Sequence, residues 1–304
     1  MILGHDQPLA QLRAAIAGNT LAPTYIFAGP SGVGKSLVAR WFAQTLVGRE
    51  SENHPDIIWV TPPPDKILGG IEIDQIRRMQ SLLNLHALEG GRKIAILDPA
   101  DSMNDNAANS CLKILEEPPP LTHFILISSR MDRLLPTIRS RSQVIHFGAL
   151  NEQLIVRQLI ASGLDPAEAR QRAILADGSL GHALQYPADV IAETATDLHA
   201  LLTQPDANTT LAAAERWSAD ATQLPWRLQL IGLLWRDALA KQCGCERAPW
   251  LPGTASLIAQ LRQRPAARLS RELTHTLQSI DLACAPGLNK QLCCEALLFN
   301  LSQT

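Results

Sequence analysis

No run of apolar residues in this chain approaches the roughly 20 needed to cross a bilayer as a helix. The amino terminus turns polar by His5 and Asp6, leaving no room for the apolar stretch of a secretory leader. Neither membrane insertion nor secretion is expected, and the cytoplasm is the expected compartment. Excess charge of one sign is also missing. Lys and Arg total 27 against 29 Asp and Glu, a formal net charge of -2. Without a positive field, tight DNA binding by the isolated chain is not expected. Cysteine is scarce and poorly spaced for metal. Cys111, Cys243, Cys245, Cys284, Cys293 and Cys294 contain no matched pairs at two-residue separation, and Cys243-Gly244-Cys245 has too short a reach for a tetrahedral zinc clip. They are expected as thiols rather than as a disulfide framework.

What the chain does have is bulk: 304 residues, 46% hydrophobic and 18% charged, enough for substantial cores in two or three domains. The first half alternates short β-branched runs with helical patterns, the signature of a parallel sheet covered by helices. Strands are predicted at Tyr25 to Ala28, Ile57 to Val60, Lys93 to Leu97, Phe124 to Ile127 and Val144 to Phe147. Leu37, Val38, Trp41, Phe42 and Leu46 form one apolar helical stripe, and Ile76, Met79, Leu82 and Leu83 another. From Asn151 onward strand signals nearly vanish. Asp165-Pro166 followed by Glu168 predicts a capped helix start within a small helical unit that begins near Ala149. The final third is rich in Leu and Ala, and Pro205, Pro225, Pro249, Pro252, Pro265 and Pro286-Gly287 punctuate it into several helices.

The chemistry is concentrated in Gly29-Pro30-Ser31-Gly32-Val33-Gly34-Lys35-Ser36, a complete phosphate-binding loop between a predicted strand and a predicted helix. Its glycines let successive N–H groups surround a phosphate at a helix N-terminus. Lys35 would neutralise phosphate charge, and Ser36 would place its hydroxyl on Mg²⁺. ATP or ADP with Mg²⁺ is the expected ligand. Ile94-Ala95-Ile96-Leu97-Asp98 is an apolar strand ending in a carboxylate, where a second metal-positioning group is needed. Asp101 reads as a helix N-cap in preference to a site residue. Glu116 and Glu117 lie near a helix C-terminus, where the macrodipole disfavours negative charge by about 0.3–1 kcal/mol each. A compensating cation or a simple exposed pair both fit.

Asp98-Pro99-Ala100-Asp101, followed by the run Ala107 to Pro119 that contains Leu115-Glu116-Glu117-Pro118-Pro119, resembles the clamp-loader branch of the AAA+ ATPases. The likeness continues through Phe124 to Ser129 and through Leu135-Pro136-Thr137-Ile138-Arg139-Ser140-Arg141-Ser142, in which Ser142 replaces the Cys of a Ser-Arg-Cys signature. Gly178-Ser179-Leu180-Gly181-His182-Ala183-Leu184 resembles the lid signature, and Asn289, Leu292, Glu295, Leu297 and Leu298 resemble the last collar helix.

This resemblance implies an α/β P-loop AAA+ module over residues 1–148, a small helical lid over 149–187 and an all-α collar over 188–304. It implies that Arg141 is an arginine finger reaching the γ-phosphate held by a neighbouring subunit, with Arg139 or Arg141 on a solvated loop as the plainer alternative. Ser128 matches the γ-phosphate-sensing position, with Ser129 as second choice. The implied partners are other clamp-loader subunits of tau/gamma and delta types, the sliding clamp, and primed DNA through the assembled hetero-oligomer. The implied setting is the bacterial DNA polymerase III holoenzyme, without polymerase activity in this chain.

Two departures weaken hydrolysis. Active members of the branch carry Glu after the strand Asp, where this chain has Pro99, and the lid signature usually carries Arg where this chain has Gly181. Losing a positioned base costs about 10²–10⁴ in rate. Many members also carry a cysteine-rich zinc insert after the first helix, but residues 47–53 contain no cysteine, so no zinc is expected. A self-sufficient ATPase using Asp101 or Glu117 as base, and a nucleotide-regulated DNA-binding factor, are the competing expectations.

Overall fold

A computed structural model describes residues 2–49, 54–63, 70–85, 87, 91–220, 222–245, 254–283 and 289–302. The chain divides into two compact units: residues 1–169 with 176–184, and residues 170–175 with 185–304.

The first unit is a five-stranded parallel sheet in the order β2-β3-β4-β1-β5. Its strands are β1 (Thr24–Ala28), β2 (Ile57–Val60), β3 (Lys93–Leu97), β4 (Thr122–Ser128) and β5 (Gln143–His146), within two residues of the sequence expectation at each end. The helices between them are α1 (Asp6–Ala17), α2 (Lys35–Val47), α3 (Ile73–Leu83), α4 (Asp105–Glu116) and α5 (Pro136–Ser140). Near-continuous apolar strands follow from burial on both faces. Tyr25, Phe27, Ile94 and Ile96 join Leu12, Val38 and Phe42 on the α1/α2 side. Ile26, Ala95, Leu97 and Phe124 join Ile76, Met79, Cys111 and Leu115 on the α3/α4 side.

Two stripe residues are corrected by the structure. Leu37 is 51% exposed and Leu82 39% exposed, because each lies at the margin of its helix's buried face. α6 (Glu152–Ala161), α7 (Pro166–Leu175) and α8 (Leu180–Gln185) follow β5. Asp165 caps α7 as expected, its Oδ2 accepting from the N–H groups of Ala167 at 2.9 Å and Glu168 at 3.4 Å.

The second unit holds α9 (Ala188–Thr203), α10 (Ala207–Ala219), α11 (Leu224–Gln242), α12 (Ala255–Leu261), α13 (Ala266–Ala283) and α14 (Lys290–Ser302). α11 packs on α13, and α10 on α14. Trp217, Trp235, Leu228 and Leu298 occupy one continuous core. Pro205 and Pro265 fall just before α10 and α13, and Pro225 lies in the first turn of α11, where a missing N–H costs nothing. The expected breaks at Pro249, Pro252 and Pro286-Gly287 lie outside the described residues. Among the described residues no strand follows β5, and no helix is long and apolar enough to cross a membrane. Cys111, Cys243, Cys245, Cys293 and Cys294 are free, and Cys284 lies outside the described residues.

Candidate functional site

The glycine-rich segment leaves the carboxyl end of β1 and runs directly into α2, so the first-turn N–H groups of α2 face the space above the sheet. That space is a cleft of about 470 Å³ lined by residues 31–37, Asp98, Pro99 and Ser129, with Ile2, Leu3, Leu150, Leu180 and Leu184 among its apolar walls. Lys35 is almost wholly buried. Its Nζ donates to the carbonyls of Gly29 and Pro30, each at 2.6 Å, and to Ser129 Oγ at 3.3 Å. Burial pulls its pKa from 10.5 down to about 8, and the charges of Asp98 and Asp101 oppose the fall.

Asp98 directly follows β3, which is separated from β1 by β4, and its Oδ2 accepts the Ser36 hydroxyl at 2.5 Å. Burial raises the Asp98 pKa, partly offset by Ser36 and Lys35 and reinforced by Asp101. A hydroxyl and a carboxylate touching at the loop mouth form a hard-oxygen pair that suits Mg²⁺ with its waters and a phosphate. Among the described residues no cluster of three or more His, Cys, Asp or Glu forms a protein-only metal cage. Pro99, joined to Asp98 by a cis peptide, lines the cleft and presents no side-chain acceptor.

Asp101 is not the helix cap expected of it. The cap of α4 is Asn104, which accepts from the Ala107 N–H at 2.8 Å. Asp101 Oδ2 instead accepts from the Ser129 N–H at 3.2 Å, tying the end of β4 to the turn after β3. Of the two serines, Ser129 lines the cleft and meets Lys35. Ser128 is fully buried, and its Oγ accepts from the Arg130 N–H at 3.1 Å in a local turn.

The loop is also engaged from α8. The Gly181 N–H donates to Gly32 O at 2.8 Å. A Cβ at Gly32 (φ +71) would collide with Ser179 Oγ, and one at Gly181 would meet Gly32 Cα at 2.9 Å. Glycine at both positions is what lets the backbones touch.

His5 carries no mark of the cleft in the sequence, yet its Nε2 lies 2.8 Å from Val33 O and its ring packs edge-on against Phe147 at 5.0 Å. Ile2, Leu3 and Leu150 are likewise unmarked, because nothing in periodicity singles out residues that meet only through the tertiary fold, and Leu184 of the lid-like segment joins them on the cleft wall. Arg141 stands outside the cleft, after α5. Its guanidinium pairs with Glu116 Oε1 at 3.0 Å and donates to Thr137 O at 3.3 Å, so the cation that compensates Glu116 is Arg141.

A glycine-rich loop at the end of a central parallel strand, facing a carboxylate one strand removed, defines a P-loop α/β module of the AAA+ type, here followed by a helical unit. A family model described as DNA polymerase III, delta subunit, matches residues 4–151. DNA polymerase III subunit delta' of Pseudomonas aeruginosa is 39% identical over 137 residues, which are 40% of this chain and 41% of that protein. The Bacillus subtilis subunit delta' is 31% identical over 257 residues, covering 76% of each. The chain therefore belongs to the DNA polymerase III subunit delta' family. Among solved structures, a DNA polymerase III gamma subunit-related protein from Thermotoga maritima overlays with a TM-score of 0.45 at 18% identity, covering 98% of this chain and 99% of that one.

Proposed function

We propose that this chain works as the delta-prime subunit of a bacterial clamp loader, holding ATP or ADP with Mg²⁺ while hydrolysing it poorly. Gly29, Pro30, Ser31, Gly32, Val33 and Gly34 supply the phosphate cradle, Lys35 its charge, and Ser36 with Asp98 the Mg²⁺ ligands. The apolar walls at Ile2, Leu3, Leu150 and Leu184 suit a base. The bound ion would neutralise phosphate charge. Ser129, rather than Ser128, is the hydroxyl placed to read a phosphate.

The observation that supports the reading is an intact cradle beside two absent catalytic groups. Ser36 and Asp98 meet at 2.5 Å, while Pro99 and Gly181 stand where a base and a cation are needed. The work of the subunit is then conformational. It assembles in the cytoplasm with tau/gamma- and delta-type subunits, donates Arg141 to a neighbouring ATPase site, and supports loading of the sliding clamp onto primed DNA. The planar, permanently charged guanidinium suits that task.

The test is a reconstituted loader carrying Arg141→Ala, assayed for DNA- and clamp-stimulated ATP turnover. Turnover at the served site falls by about 10³-fold or more. Unchanged turnover, or brisk steady-state hydrolysis by the isolated chain, refutes the proposal.

A further inference from the structure

Outside the cleft, the contact that the nucleotide site does not explain joins the ends of α4 and α5. Arg141 Nη2 lies 3.0 Å from Glu116 Oε1, while its Nη1 donates to Thr137 O. Glu116 is the last residue of α4, where unpaired helix carbonyls and the macrodipole repel a carboxylate. The guanidinium answers that repulsion from within the same chain. At its other end α4 starts just after the short turn Ala100–Ser102, which follows Asp98 and holds Asp101. One helix of 12 residues, roughly 18 Å long, thus runs from the edge of the phosphate site to the partner of Arg141.

We propose that Glu116 is a positioning residue that parks the Arg141 guanidinium on its own chain, so that a triphosphate held by a neighbouring subunit must win it from Glu116. The inference rests on the reading of Arg141 as a trans-acting group. Both partners are about half exposed, 43% for Arg141 and 49% for Glu116, which makes the contact a solvent-screened ion pair. Pairs of that kind bias an equilibrium by about 1.4- to 5-fold. Such a hold keeps the side chain ordered in an unpartnered subunit. It yields to a γ-phosphate, whose oxygens accept the guanidinium fork with more charge.

The experiment compares wild type, Glu116→Gln, Glu117→Gln, Arg141→Ala and the Glu116→Gln/Arg141→Ala double variant in the assembled loader, with ATP concentration and salt varied. Glu116→Gln raises maximal turnover at low salt by about 2- to 6-fold, the inverse of the free fraction in wild type, and leaves the KM for ATP unchanged. The gain shrinks as salt rises, because an exposed pair is screened. Glu117→Gln behaves as wild type, and the double variant matches Arg141→Ala. Turnover of Glu116→Gln at or below wild type, or a gain that persists without Arg141, overturns the parking role. A loss with Arg141→Ala and no change with Glu116→Gln sinks this inference alone, whereas no loss with Arg141→Ala sinks the finger reading beneath it.

Discussion

Gly181 is the position where one methyl group tests the site most sharply. In Gly181→Ala the new Cβ would lie 2.9 Å from Gly32 Cα and 3.1 Å from Gly32 O, both backbone atoms that have no rotamer to turn aside. Reaching ordinary contact requires α8 and the loop to part by about half an ångström, which degrades the 2.8 Å bond from the Gly181 N–H to Gly32 O. Losing one such bond costs about 0.5–1.5 kcal/mol and overpacking about 1–3 kcal/mol. The helix preference of Ala over Gly returns up to about 1 kcal/mol. A net destabilisation of about 0.5–4.5 kcal/mol is expected, localised at the seam. Native-state hydrogen exchange reads it directly, as faster exchange of the residue-181 amide, and urea unfolding gives the global value. Gly91, where an added Cβ would meet nothing within 4 Å, supplies the control, and Gly91→Ala stays within about 0.5 kcal/mol of wild type. If Gly181→Ala matched Gly91→Ala in both measurements, the close backbone approach of α8 to the phosphate loop would be wrong.

Burial also lowers the pKa of two histidines, His123 and His182, from 6.5, with Arg92 and Lys35 respectively adding to the effect and the Ala22 carbonyl opposing it at His123. The unfolded chain then binds more protons than the folded one below about pH 6.5. Stability present at pH 7 is lost as pH falls, by at most about 1.4 kcal/mol per pH unit for each histidine. Urea midpoints between pH 7 and about 5.5 check this. His123→Gln flattens the profile, and a flat wild-type profile contradicts the assignment. In the helical unit, Trp217 is fully buried and its Nε1 donates to Asp197 Oδ2 at 2.8 Å. Trp217→Ala costs about 3–5 kcal/mol in denaturant unfolding followed by circular dichroism, and a loss under about 1 kcal/mol would mean that this core is not packed as described.

The parallel sheet was legible because its central strands, buried on both faces, read as unbroken apolar runs such as Tyr25 to Ala28 and Ile94 to Leu97. The glycine-rich loop was legible because the spacing of Gly29, Gly34, Lys35 and Ser36 matches a phosphate-loop motif that leads from a strand into a helix, as β1 leads into α2 here. Pairings over long separations were not legible. Ser128 and Ser129 are indistinguishable as letters. Ser128 ends β4 buried in the core, whereas Ser129 follows the strand, meets Lys35 and is held by the Asp101 bond to its N–H. Glu116 and Arg141, far apart in the chain, carry no pattern linking them until α4 and α5 are packed.

The letters alone carried the fold class, the loop motif and the lack of a side-chain acceptor at Pro99, because each depends on local spacing or on the chemistry of one residue. It took the packed fold to show which serine lines the cleft, that His5 and the apolar walls belong to it, that α8 bonds to the loop through Gly181, and that Arg141 rests on Glu116. Those outcomes depend on distances between segments far apart in the chain, and such distances are set by how the helices and sheet bury their apolar faces.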